Sequence, residues 1–386
     1  MTESVVNELS DSNKPNELNE IPELNIEIGP NWFASVMGTA IIANAAIGLP
    51  KVGNQLNSFG FSIWLLSALL LIAMLLLVTL QTISKPHIIK RQFNDSVMAQ
   101  FFGAPPMALM AVAGGTLLFG NALFSQEAVL TITWVLWSVG TVSGIITSVI
   151  IPYRLFTHHE VRGDAAFGGW LMPVVPPMVS AAIGAMLLPY IQDNVLQQTM
   201  LYGCYAMFGM SLMGAFIITT LIWGRLAHSG TSGGARVPTL WIILGPLGQS
   251  ITAAGALGTV ALTVVEQPIA GSLHSMAILY GVPVWGFAFF WSMLATCLTV
   301  RALRRKMPFA LTWWAFTFPV GTCVTGTTQL ALHTGLPAFE WAAVLLFSVL
   351  LCAWVVAAIG TIRGVKGGNL IKNPTNSPVI ISRKGK

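Results

Sequence analysis

The stretch LLSALLLIAMLLLVTL, Leu65–Leu80, runs for sixteen residues without a charge, a proline or a glycine. A helix that is apolar all round has no face to turn toward water, so it belongs in lipid or at the centre of a large core. The rest of the chain decides for lipid. Of its 386 residues 54% are hydrophobic and 9% charged, with a mean hydropathy of +0.73, whereas soluble domains carry about 25% charged residues.

Outward from Leu65, apolar runs of about 20 residues recur at 31–50, 61–83, 98–120, 128–151, 169–190, 197–223, 237–265, 273–300, 308–334 and 338–362, predicting ten transmembrane helices. The connections alternate in charge. Lys85, Lys90 and Arg91 follow the second run, Arg154 and Arg162 the fourth, Arg225 and Arg236 the sixth, and Arg301, Arg304, Arg305 and Lys306 the eighth. With the two tails, that side holds 18 of the 19 basic residues, and only Lys51 lies opposite. The positive-inside rule makes it cytoplasmic, with both termini inside a cell membrane. The net charge of +5 thus records topology rather than nucleic-acid binding.

Three segments follow. Residues 1–30 form an acidic, disordered cytoplasmic tail without the basic start and apolar core of a secretory signal. Residues 31–362 form the membrane domain. Residues 363–386 form a basic tail suited to anionic headgroups of the lipid bilayer. Cys204, Cys297, Cys323 and Cys352 show neither metal nor disulfide spacing and read as core residues, so no metal or cofactor is expected.

Because each pair of spans goes out and returns, the fold class is an all-α integral membrane protein of five parallel helical hairpins, whose odd helices can ring a central pore. Odd spans concentrate Gly114, Gly115, Pro173, Pro176, Pro177, Gly245, Pro246, Gly248, Pro319 and Gly321, although spans four and six also carry small and hydroxyl residues. In span nine, Phe318, Thr322, Thr325 and Gln329 step by four, three and four and share a helix face. Span seven repeats this with Gln249, Thr252, Ala256, Thr259 and Thr263. Pro173, Pro177, Ser180 and Gly184 make a stripe in span five, Ser35 and Thr39 lie in span one and Thr116 in span three. Hydroxyls and amides can donate to an anion. They can also satisfy backbone carbonyls or hold helices together. Two stripes on helices of like parity favour a wet pathway lined by Thr39, Thr116, Ser180, Gln249, Thr252, Thr322, Thr325 and Gln329. Pro319, Pro246 and Pro177 are expected to kink their helices, and a helix restarted at a proline offers the positive end of its dipole. Phe318 at such a kink either plugs the path or packs on a neighbour; spacing leaves both open.

No span interior holds Asp, Glu, Lys or Arg, so coupling through a buried carboxylate is not expected, and weak, fast anion passage is. His274 and His333 sit near outer span ends and read as structural.

WWAFTFPVGT (Trp313–Thr322), LGPLGQS (Leu244–Ser250), LMPVVPPMVSAAIGA (Leu171–Ala185) and WFASVMGTAII (Trp32–Ile42) together resemble the tellurite-resistance/dicarboxylate transporter family, which includes fungal malate permeases, sulfite exporters and plant slow anion channels. The resemblance implies ten helices around a pore, a homotrimer with one pore per subunit, and a phenylalanine gate on the ninth helix, matched here by Phe318 in TFP. Phe316 points elsewhere on the wheel.

The function this implies is passive or weakly coupled transport of a small anion: malate or another C4-dicarboxylate, sulfite or a similar oxyanion. The alternative on the same fold is a gated channel for chloride-like or nitrate-like anions. A membrane-embedded enzyme would need a nucleophile and base or a metal cluster inside the bundle. The adjacent His158 and His159 lie instead in a loop, so the chain is not expected to be an enzyme.

Overall fold

The computed structural model describes residues 27–231, 234–368 and 370. It is all helix, with no strand among the described residues. Five long helices, α2 (Asn57–Ser84), α5 (Gln126–His158), α7 (Asn194–Ser229), α9 (Ile269–Arg304) and α11 (Pro337–Lys366), alternate with five shorter ones. The short ones are α1 (Phe33–Gly48), α4 (Ala104–Phe119), α6 (Pro176–Leu187), α8 (Leu244–Val264) and α10 (Phe318–Thr334). A nine-residue amphipathic helix, α3 (Pro86–Asn94), occupies what reads in sequence as a basic loop; it buries Ile88 and Gln92.

Seven helical stretches are long and apolar enough to cross a membrane, against the ten expected. The spans expected at 31–50, 169–190 and 308–334 yield helices of only 16, 12 and 17 residues. The physical reason is a break at the start of each short helix. Tighter 3-10 turns at Pro30–Trp32, Met98–Gly103, Gly168–Leu171, Gly234–Ile243 and Leu311–Phe316 precede all five, and hydropathy does not distinguish a 3-10 turn from an α-turn.

The prolines explain where the α-helices resume. Pro177 is the second residue of α6, Pro246 the third of α8 and Pro319 the second of α10. In a first turn the missing N–H has no helical partner to lose and the fixed φ suits the helix. Pro177 and Pro319 therefore stand at α-helix starts where the sequence reading expects kinks within helices, while Pro246 follows directly on the 3-10 turn Gly234–Ile243 in one unbroken helical stretch.

Burial separates the two sets. In the spanning windows of α4 and α8, 78% and 83% of residues are buried, against 17–28% in the five long helices. The long helices turn large apolar side chains outward, among them Leu69, Leu76, Val142, Ile217, Leu279 and Leu345, as contact with lipid requires. Cys297 and Cys352 lie on this outer surface, not in the core as expected, while Cys204 and Cys323 are buried.

Each short helix packs on the long helix that follows it: α1 on α2, α4 on α5, α6 on α7, α8 on α9 and α10 on α11. The short helices also contact one another in a closed order, α1 to α4, α6, α8, α10 and back to α1. Close approach at these seams depends on missing side chains. A Cβ on Gly248 would stand 2.4 Å from the backbone nitrogen of Cys323, so α8 and α10 touch almost backbone to backbone.

Of the expected tails, residues 1–26 and 371–386 lie outside the described residues. Glu27 pairs with Arg91, and the Ile28 amide donates to Gln81 Oε1 at 2.8 Å, tying the chain onto α2 and α3. At the other end α11 continues to Lys366, past the expected boundary at 362.

Candidate functional site

The N-terminal ends of the short helices, with the turns that lead into them, meet at one partly open cavity of about 30 Å³. Met37 comes from α1, Met107 from α4, and Met172 and Val175 from the turn before α6; Ile242, Gly245 and Pro246 come from the start of α8, and Trp314, Phe318 and Pro319 from the start of α10. The lining is almost wholly apolar, and the volume is enough for a water or two. Phe318, the first residue of α10, is 3% exposed and forms part of the wall. Its neighbour Thr317 donates to the Trp314 carbonyl at 2.7 Å, and Gly38 of α1 lies against it so closely that a Cβ there would be 2.2 Å from the hydroxyl. Phe316 does not line the cavity; its ring packs edge-on against Trp241 and Trp313.

Five helix starts point their positive dipole ends the same way. Arg236 stands one helical step before the lining residue Thr239, whose hydroxyl donates to the Arg236 carbonyl at 2.7 Å. Its guanidinium lies 5.3 Å from the centre of the Phe167 ring. Arg225 is 5% exposed. Asp164 sets an opposite charge near both guanidiniums. Both stay cations at neutral pH, because a guanidinium starts so far above it.

The residues expected to line a path divide into two groups. Gln249, Thr252, Thr325 and Gln329 come together on the facing sides of α8 and α10. Thr252 and Thr325 share a hydroxyl hydrogen bond of 2.7 Å and are half-buried. Gln249 is 4% exposed, and its amide has no hydrogen-bond partner among the described residues. Gln329 lies over Gly255, with its amide oxygen 2.8 Å from where a Cβ would be. Further along, Thr259 is 3.3 Å from His333, whose ring centre is 4.6 Å from that of His274.

Thr39, Thr116, Ser180 and Thr322 do not join them. Thr39 accepts the indole N–H of Trp354 on α11 at 3.0 Å, and Thr116 that of Trp64 on α2 at 3.3 Å. Ser180 shares a 2.6 Å hydrogen bond with Thr141 on α5. The cause is common to all three: a polar group carried by a surrounding long helix needs a partner where water is absent, and a hydroxyl on the short helix supplies it. Thr322 instead reaches carbonyls of Pro319, Leu244 and Gly245, sewing the start of α10 to the start of α8.

Asn44, a polar residue of α1 not singled out from sequence, packs against α4. Its amide donates to the Ala111 carbonyl at 2.9 Å, and its buried oxygen has no partner among the described residues. A lone amide in the apolar run AIIANAAIG was the available signal.

Comparison with known proteins follows the same outline. A family model described as a voltage-dependent anion channel (SLAC1) matches residues 27–362. An uncharacterized transporter of Methanocaldococcus jannaschii is 24% identical over 90% of this chain and 97% of its own. A sulfite efflux pump of Trichophyton rubrum is 26% identical, covering 85% of this chain and 88% of its own. A malic acid transport protein of Schizosaccharomyces pombe is 21% identical, covering 84% and 76%.

Proposed function

The chain belongs to the voltage-dependent anion channel family, and on that premise we propose that it carries a small oxyanion or C4-dicarboxylate, sulfite or malate, through a pore between its five short helices. The observation that carries this reading is the cavity to which all five helix starts contribute, with Phe318 in its wall and Gln249, Thr252, Thr325 and Gln329 beyond it. In this reading the chain crosses the membrane ten times as five parallel hairpins, the short helices completing their spans through the 3-10 turns. Both termini lie in the cytoplasm, so the basic end, Arg225 and Arg236 face inward.

An anion is drawn to the basic end by the two guanidiniums and the five dipole ends. Phe318 closes the way, since a space of about 30 Å³ is too small for a hydrated oxyanion. When the ring swings aside, the Gln249 amide and then the Thr252 and Thr325 hydroxyls replace part of the lost hydration. These donors are neutral, so binding stays weak enough for release. The sulfite and malate assignments are supported by the names of the relatives above, and the homotrimer by the family resemblance. Residues 1–30 and 363–386 serve as cytoplasmic tails. A second reading, a gated channel for chloride or nitrate, is favoured by the absence of Asp and Glu from every span interior, which leaves no carboxylate to couple protons.

Flux into proteoliposomes separates the two. Sulfite, malate, chloride and nitrate are offered at clamped voltage, with and without a pH gradient. Flux of sulfite or malate well above chloride supports the transporter; equal flux of all four, indifferent to the gradient, supports the channel. No flux of any anion overturns both.

A further inference from the structure

The basic end of α9 carries Arg301, Arg304, Arg305 and Lys306, four cations in six residues. None of their side chains makes a hydrogen bond or ion pair with another described residue. The ordinary account of such a cluster is that it caps the negative end of the helix dipole. That interaction needs no direct contact, and the Ala302 and Leu303 carbonyls already accept backbone N–H groups of Arg305, Lys306 and Met307, so the four exposed side chains keep their donors for a further anion.

Two hollows flank the cluster. One, of about 440 Å³, is walled by Cys297, Val300, Arg301, Arg304 and Arg305. The other, of about 230 Å³, is bounded by Arg301, Arg305, Lys306, Val237 and Met307. Arg301 and Arg305 serve both. Below the first hollow the outer face of α9 continues as an exposed apolar strip through Val300, Cys297, Met293 and Phe289, at helical steps of three, four and four. Cationic walls above and a lipid-facing strip below match a molecule with a phosphate at one end and hydrocarbon at the other.

We propose that this end of α9 is a binding site for an anionic phospholipid, its headgroup phosphate held by Arg301, Arg304 and Arg305 and its acyl chains lying along Met293 and Phe289. The apolar strip favours a lipid over free phosphate, which would have no use for it. The site is distinct from the basic C-terminal tail. The second hollow touches Val237 and Met307, on the two segments that lead into the turns bearing Thr239 and Trp314, so an occupant there braces the frame of the cavity at Phe318. Binding does not depend on what passes through the protein; only an effect of the lipid on flux rests on the anion-pathway reading.

The test uses the full chain, purified in neutral detergent and titrated with phosphatidylglycerol, phosphatidylcholine or inorganic phosphate, read by native mass spectrometry. Wild type is expected to keep one phosphatidylglycerol per protomer under activation that strips phosphatidylcholine. Arg301→Gln, Arg304→Gln and Arg305→Gln together are expected to weaken retention about 100-fold, about fivefold per guanidinium. The paired change Lys90→Gln and Arg162→Gln, at exposed positions of the same end, should leave it unchanged. The triple Arg→Lys variant, which keeps the charge, should stay within about tenfold of wild type. Undiminished retention by the triple Gln variant, equal loss in the Lys90/Arg162 variant, or loss in the Lys variant as complete as in the Gln variant would each overturn the proposal. Displacement of the lipid by inorganic phosphate would also overturn it, identifying a free-phosphate site instead.

Discussion

Replacing Phe318 by alanine tests whether the ring obstructs the path or merely packs. The ring is 3% exposed, and burying a phenylalanine is worth about 1.5–3 kcal/mol. Swinging it out forfeits about that much, which puts the unobstructed population at roughly 0.6–7%. If passage waits on that population, Phe318→Ala raises flux roughly 10- to 150-fold. A purely structural phenylalanine predicts something else: a loss of about 3–5 kcal/mol in stability and no gain in flux. Because the ring already borders a cavity, the stability loss should fall at or below the lower end of that range. The assay is anion uptake into proteoliposomes at a clamped potential, with thermal melting of the same preparations. Phe316→Ala is the matched control, since its ring packs against Trp241 and Trp313 and lines no cavity; it should lower the melting temperature and leave flux alone. A well-folded Phe318→Ala protein whose flux is unchanged or reduced would refute the obstruction.

Thr252→Val and Thr325→Val each remove the 2.7 Å hydroxyl pair and should lower flux severalfold while costing about 0.6 kcal/mol, as uptake and melting would register. Thr39→Val should do the reverse: it leaves the Trp354 indole unpaired, costing about 1–3 kcal/mol, with flux per folded molecule unchanged. Gly248→Ala forces a Cβ to 2.4 Å from the Cys323 backbone and should cost about 1–3 kcal/mol by prying α8 from α10, seen as a lower melting temperature. Arg236→Gln should slow flux severalfold at low ionic strength, with the deficit fading toward 1 M salt, where the Debye length is about 3 Å; a deficit independent of salt would contradict steering by this charge.

How much of this was legible in sequence depends on whether the information was local. The membrane class, the alternation of basic and neutral connections and the proline-rich odd spans are local properties, and the helices lie where the apolar runs fall. The break before each short helix was partly hidden, because 3-10 turns such as Leu311–Phe316 are as apolar as the helix they introduce. Pro177, Pro246 and Pro319 marked the junctions, but one proline serves equally to bend a helix or to start one, and only the chain before it decides.

The polar stripes show the same limit more sharply. A helical wheel establishes which residues share a face, and Thr252 with Thr325 follows from it. It does not establish what the face meets. Thr39 and Thr116 carry the same hydroxyl as Thr252, yet each lies opposite a tryptophan from a long helix, and a buried indole N–H without an acceptor would cost more than a hydroxyl gains by facing water. The outer helices therefore claim those threonines, and the accessible polar line is left to α8 and α10. That seam is held by the close approach at Gly248 and by Thr322 on neighbouring carbonyls, so the Thr252–Thr325 hydroxyl pair is not its sole fastening, and in the proposed pathway an anion would exchange for that pair.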